Sequence, residues 1–417
     1  MMHKNRNRSK IFYGWWVVGS SLVITLFSAG TIYFGFTAVI EPIAEEFGWS
    51  YAQISFAASL RGLEMGLLAP LVGLLVDRWG PRRLVFGGGI LISLGLFVLS
   101  RVSSLAMFYG AFALISVGMS ATTGTVLVTA VVNWFRKQAS IATGIVVSGL
   151  GLSGLLVPLI TVLVDKFQWR TAMDIVGLGI LVVVLPLSLL LRHKPEQYGY
   201  LPDGDSSDIV NGNKLQDTAE KTETSITAKQ ALRSRAFWHI AFAAMCHAFV
   251  LGALVTHIMP YLSSINIDRS TSSLVALLLP VTSISGRLGI GWLGDRMDGR
   301  WVYAMGFVLM TIGMLFCSYL PGVGMWMLVP FVIVFSFGWG GNVTMRMSLS
   351  MRYFGRASYG TILGSSSVVM MIGHMAGTPL AGWIYDTWGS YQGAWLGFTL
   401  VTLAGMVLAL TIPAPES

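Results

Sequence analysis

Two arginines stand nine residues apart in the stretch SISGRLGIGWLGDR, Ser283 to Arg296. Arg296 falls in a polar turn, whereas Arg287 lies inside a run that otherwise reads as membrane helix. A guanidinium stays charged at any attainable pH, and placing it at the centre of a bilayer costs on the order of 3 kcal/mol on insertion scales. It must therefore face water or a partner, and its planar fork fits a carboxylate through two parallel hydrogen bonds. The serines and glycines beside Arg287 leave room for such a partner close to the helix axis. The carboxylate can come from another helix or from a substrate. Glu64 is the one clearly mid-membrane acid, and Asp174 lies near the outer end of its span. Glu64 has a nearer cation in Arg61, three residues away on the same helix face. That pair reads either as a static brace or as a proton site, with Glu64 titrating and Arg61 holding its anion.

The histidines extend the possible proton chemistry. His247 and His257 lie ten residues apart in one span and roughly opposite in helical phase, so at most one faces a central cavity. His257, in THIMPYL before a proline near the outer face, is the one placed where a gate or proton site belongs. His374, in GHMAGTP, reads as packing. Arg346 reads as a snorkelling or latch cation, with Asn342 one turn away as a hydrogen bonder to a cavity ligand. The chain has no metal-ligand spacing, no G-x-x-x-x-G-K-[ST] loop and no nucleophile elbow. These features point away from an enzyme, a nucleotide-driven pump, a metal or a cofactor.

The elements that hold these residues follow from composition. Only 11% of the 417 residues are charged and the mean hydropathy is +0.70, against about 25% charge in a soluble domain. Apolar runs long enough to cross about 30 Å of hydrocarbon recur twelve times, approximately at 13–38, 52–76, 83–101, 107–132, 138–164, 170–191, 237–264, 272–294, 301–320, 325–350, 359–385 and 391–412. They are numbered here as spans 1 to 12. Counted over alternate loops, twenty Lys and Arg fall on the face shared by the termini, and four (Arg101, Lys166, Arg170, Arg269) on the other. The positive-inside bias puts both termini in the cytoplasm of a cell that carries the chain in its plasma or inner membrane. The net charge of +8 thus reflects topology and anionic lipid, not nucleic acid. Cys246 and Cys317 both fall within spans and read as small buried hydrophobes.

The polar stretch 192–235 separates six spans from six, so the chain divides into a tail (1–12), a first bundle (13–191), a linker (192–235), a second bundle (236–412) and a short end (413–417). A short interfacial helix is expected near TAKQALRSRAFW. GLLVDRWGPRR (Gly73 to Arg83) after span 2 is echoed by GWLGDRMDGR (Gly291 to Arg300) after span 8, offset by 218 residues. NWFRKQASIATG is echoed by RYFGRASYGTILG at an offset of 219. Parallel repeats of this kind imply two facing bundles with a site between them near mid-membrane. The expected fold is all-α: twelve transmembrane helices in two pseudo-symmetric six-helix bundles.

These motifs resemble the signature of the major facilitator superfamily. Within it, YGWWVV opening span 1, NWFRKQASIATGIVVSG entering span 5 and the arginine in span 8 resemble the monocarboxylate-transporter and oxalate/formate-exchanger group, of bacterial type. The resemblance implies that Arg287 is the substrate-carboxylate ligand. It also implies a cytoplasmic latch of Asp77, Arg78, Arg82 and Arg83, with Asp295 and Arg296 as the weaker copy, whose charge pairs rocking can break. The chain departs from the group in three places. Ser283 stands where mammalian-type carriers have a proton-coupling aspartate, Tyr33 stands near their span 1 lysine, and Ser367 stands near the exchangers' span 11 lysine. One cation without a second favours a single carboxylate over a dianion such as oxalate, with Ser283, Tyr33, Asn342 and Ser367 as further substrate contacts.

The function expected is a secondary transporter of lactate- or pyruvate-like monocarboxylates, coupled to protons through Glu64, Arg61 or His257 and working as a monomer. The alternatives are organic-anion exchange and, in another class, a carboxylate sensor that binds without turnover.

Overall fold

A computed structural model describes residues 12–62, 64–122, 124–135, 138–198, 227–355 and 359–413, and no β-strand occurs among them. The helices follow the apolar runs. Among the described residues ten segments are long and apolar enough to cross a membrane. The sequence count of twelve differs for two local reasons. Span 2 is split by a π turn at Glu64–Leu68 between helices Tyr51–Ser59 and Ala69–Trp79. Spans 5 and 6 run together within Ile141–Leu190, joined at Gln168, whose φ of 64° turns the chain without a loop.

The first half is interrupted in spans 1, 2 and 4. Span 1 passes from Tyr13–Ala29 into a π turn (Gly30–Phe34) and a 3₁₀ turn (Gly35–Ala38) before a short helix, Ile40–Phe47. Span 4 breaks at Gly124, which takes a positive φ of 47°. Spans 7 to 12 are each one continuous helix: Arg235–Ser264, Arg269–Gly294, Gly299–Val323, Leu328–Phe354, Tyr359–Trp388 and Gln392–Leu410. Side chains start several of them. Ser234 accepts from Phe237 N–H, Asp268 from Thr271 N–H and Asp298 from Arg300 N–H, satisfying donors that a helix cannot bond internally. The short helix expected after the linker is Ala228–Arg233, held by a capping box of Thr227 and Gln230.

With lipid as solvent, helices associate by close packing where small residues let backbones approach. Spans 8 and 10 cross in this way: a Cβ on Gly340 would fall 1.9 Å from the Ser283 carbonyl oxygen, and one on Gly286 2.1 Å from that of Phe337. Spans 5 and 8 meet similarly between the halves, where a Cβ on Gly151 would lie 2.4 Å from Ile284 and one on Gly154 2.6 Å from the Leu277 carbonyl. The helix that carries Arg287 is thus fixed on both sides by backbone contact.

Candidate substrate site and gates

Arg287 lies one turn beyond Ser283 in span 8, half-buried and facing the seam with span 5. One Nη1–H donates 3.1 Å to the backbone carbonyl of Val147, while Nε is buried with no hydrogen-bond partner. Among the described residues no carboxylate forms an ion pair with it. A neutral carbonyl neutralises no charge, so among the described residues the guanidinium keeps its charge unpaired and one donor unused.

The other expected contacts are distributed around it. Ser283 is buried, and its hydroxyl donates to Pro280 O at 2.6 Å within its own helix. Ser367 does the same with Leu363 O at 2.9 Å. Asn342 turns toward span 9, its Nδ2 3.4 Å from Met310 Sδ and its Oδ1 packed over Gly306. Tyr33 donates to Arg61 O at 3.4 Å, its ring 6.3 Å from that of His374, while Phe34 faces Trp339 at 6.3 Å. Arg346 donates to Ser366 Oγ at 3.0 Å. His247 is buried and hydrogen-bonds the backbone of Trp339 on span 10.

Arg61 is engaged by the broken helix next to it. The irregular turns of span 1 free backbone carbonyls that a regular ladder would use. Arg61, 1% exposed, donates through Nη1 to Ile32 O (2.7 Å) and Tyr33 O (3.0 Å), and through Nε to Ala58 O (2.7 Å). Nη2 reaches Thr256 Oγ1 in the other half at 3.0 Å. The side chain of Glu64 lies outside the described residues. His257 is fully enclosed and also joins the halves. Its Nε2 lies 2.8 Å from Ser55 Oγ and 3.1 Å from Thr378 O, and its Nδ1 lies 2.9 Å from Tyr391 Oη. A carbonyl can only accept, so Nε2 carries a hydrogen, and both ring nitrogens have partners.

Further contacts close the face opposite the termini. Asp386 of span 11 accepts from Tyr51 N–H (2.9 Å) and Ala52 N–H (2.8 Å), capping span 2 from across the seam. Arg269, at the start of span 8, places Nε 2.6 Å from Asp165 and Nη1 3.5 Å from Glu41, and donates to Ala38 O at 2.6 Å. Thr37 accepts from Met259 N–H at 3.2 Å. The hydrogen bonds and ion pairs named here between the halves lie between Arg287 and this far face. These contacts hold the halves together at the far face. Sequence reasoning missed Arg269 and Asp386, although a lone arginine in a loop on the face that avoids basic residues was a usable signal.

On the termini face the expected latch residues stay within their own halves. Arg78, Arg82 and Arg83 are exposed and line a pocket of about 550 Å³ with His193 and Tyr198. Asp295 lies 3.3 Å from Arg352, and Arg296 stacks over Trp292 at 3.8 Å. The side chain of Asp77 lies outside the described residues.

The profile of the Major Facilitator Superfamily matches residues 22–378 and 258–417. The chain belongs to that superfamily. It is accordingly a multi-pass membrane transporter and not an enzyme. This facilitator is 25% identical to Monocarboxylate transporter 12 of Rattus norvegicus, over 93% of this chain and 83% of the relative. It is 26% identical to Monocarboxylate transporter 13 of Bos taurus, over 96% and 89%. An MFS-type transporter of Escherichia coli, YhjX, is 22% identical over 82% and 81%. In fold it is similar to a bacterial homolog of the human lysosomal transporter Spinster, described as inward-facing and unoccupied, with a TM-score of 0.73 and 16% identity over 97% and 96% of the two chains.

Proposed function

We propose that this facilitator carries a small monocarboxylate, lactate- or pyruvate-like, together with a proton across the plasma or inner membrane. The observation that carries the reading is Arg287: a cation at mid-helix, bonded to one backbone carbonyl, with a buried Nε that nothing else in the described protein uses. A substrate carboxylate supplies both the missing charge and the missing acceptor. The resemblance to transporters named for monocarboxylates agrees with this chemistry.

The basic loops favour a cytoplasmic location for the termini, so the locked face is the outer one and the conformation opens inward. Alternating access then requires the Asp386 cap, the Arg269 clasp and the His257–Ser55 contact to break together. The termini-face arginines with Asp77, and Asp295 with Arg296, form the opposing latch when the inner side closes. One chain contains both halves and works as a monomer.

The test is uptake by purified protein in proteoliposomes across a panel of mono- and dicarboxylates, with and without an imposed pH gradient. The expected result is accumulation of short monocarboxylates, driven by an acidic outside. Uptake that requires a trans carboxylate and ignores the pH gradient would make the protein an exchanger. Binding without uptake would make it a sensor.

A further inference from the structure

Span 1 loses its regular ladder at membrane depth, where the π turn Gly30–Phe34 meets the 3₁₀ turn Gly35–Ala38. Irregular backbone survives at that depth only where protein or water satisfies its polar groups. Here a side chain of span 2 does so. Arg61, 1% exposed, donates to Ile32 O at 2.7 Å, to Tyr33 O at 3.0 Å and, in its own span, to Ala58 O at 2.7 Å. A further oxygen comes from the other half: Thr256 Oγ1 of span 7, itself buried, lies 3.0 Å from Nη2. The rings of Tyr33 and Phe36 flank the guanidinium at 5.2 and 5.5 Å, and the Tyr33 hydroxyl donates back to Arg61 O at 3.4 Å. One cation is thus set in a cage of oxygens and ring faces to which both halves contribute.

Backbone carbonyls at a broken transmembrane helix coordinate the coupling cation in several secondary transporters. In this chain a covalently attached guanidinium takes them. None of these bonds depends on whether a carboxylate also pairs with it. We propose that Arg61 is a tethered cation that gates the carrier: it fills the oxygen cage at the break in span 1 and closes that cage against Thr256 of the other half. The far face then opens only as Nη2 leaves Thr256 Oγ1, while the bonds to Ile32 O and Tyr33 O keep the break in shape. Because the guanidinium stays, no free cation enters the cage. Arg61 is here a positioning residue that touches no substrate, whatever acid Arg287 binds.

Closure can be read directly and without substrate. Spin labels at Ser103 and Ser390, exposed at the far face in opposite halves, give a distance that lengthens when this face opens. Arg61→Ala, in the full chain in liposomes, should shift the population about tenfold or more toward the open state, the change expected for one lost hydrogen bond to a charged group. Millimolar guanidinium chloride should refill the cage and restore the short distance, whereas sodium or potassium chloride at the same concentration should not. Thr256→Val removes only the acceptor across the seam and should give a similar shift that guanidinium does not reverse. Thr256→Ser keeps the hydroxyl and should keep the wild-type distance. An unchanged distance in Arg61→Ala or in Thr256→Val overturns the proposal. So does a failure of guanidinium to restore closure in Arg61→Ala, or restoration as complete by sodium or potassium. Should Arg61→Ala misfold, the two Thr256 variants still decide it.

Discussion

Arg287 of span 8 donates to the carbonyl oxygen of Val147 in span 5, 3.1 Å away, so the cation read as the substrate ligand also bridges the two halves. Ligand binding and the seam between the bundles therefore share one guanidinium. Arg287→Lys retains the charge but loses the fork. A bidentate charge-assisted contact reduced to a single one should cost about 2–3 kcal/mol, so uptake should fall about 30- to 150-fold. Membrane expression and melting temperature should be unchanged. Full-rate uptake by the lysine variant would remove Arg287 from the substrate site.

Asp386 satisfies two N–H groups at the start of a helix belonging to the other half. Replacing it with alanine should weaken closure of the far face by about 1–2 kcal/mol, the usual loss for a cap. The resting population should then shift about 5- to 30-fold toward the far-face-open state. Spin labels at Ser103 and Ser390, exposed at that face in opposite halves, should report a longer distance in Asp386→Ala. An unchanged distance distribution would show that the cap is not a gate.

Glu41 gives the same gate a pH dependence of defined sign. In the closed arrangement burial pushes its carboxyl above the ordinary value, outweighing the Ser263 hydrogen bond and the Arg269 charge, with Glu45 adding to the rise. With the gate open the carboxyl is solvated and returns to the ordinary range. The state with the higher proton affinity gains from acid, so closure is favoured at low pH and the gain is lost as pH rises through the raised value. The Ser103–Ser390 distance, without substrate, should shorten on acidification, and Glu41→Gln should remove that response.

The crossing of spans 8 and 10 tolerates no side chain at its glycines. Gly340→Ala places a methyl 1.9 Å from the Ser283 carbonyl oxygen. Overpacking of this kind costs about 1–3 kcal/mol, and the displacement falls on the helix turn that carries Arg287. The variant should melt lower and transport less. Gly364→Ala, where a Cβ would meet nothing within 4 Å, should do neither.

Much of this architecture was legible from one sequence because lipid imposes long apolar runs and the two halves repeat their loop motifs. Arg287 stood out because an unpaired charge is conspicuous against leucine and glycine. What stayed hidden depends on distance across the seam. Arg61 was read beside Glu64 from helical spacing, but its partners include the carbonyls of Ile32 and Tyr33, exposed by a break in span 1 that no residue pattern announced. His257 drew attention through its proline and proves to be fully hydrogen-bonded, whereas His247, in unremarkable surroundings, keeps an unused nitrogen.

The broken helices of the first half and the unbroken ones of the second assign different mechanical roles. Arg287 and Arg346 both lie on uninterrupted helices. Compliance is concentrated opposite, at the irregular turns of spans 1, 2 and 4. On the proposed reading, a cargo held at Arg287 sits on the unbroken jaw of a vice, opposite the irregular turns of the other.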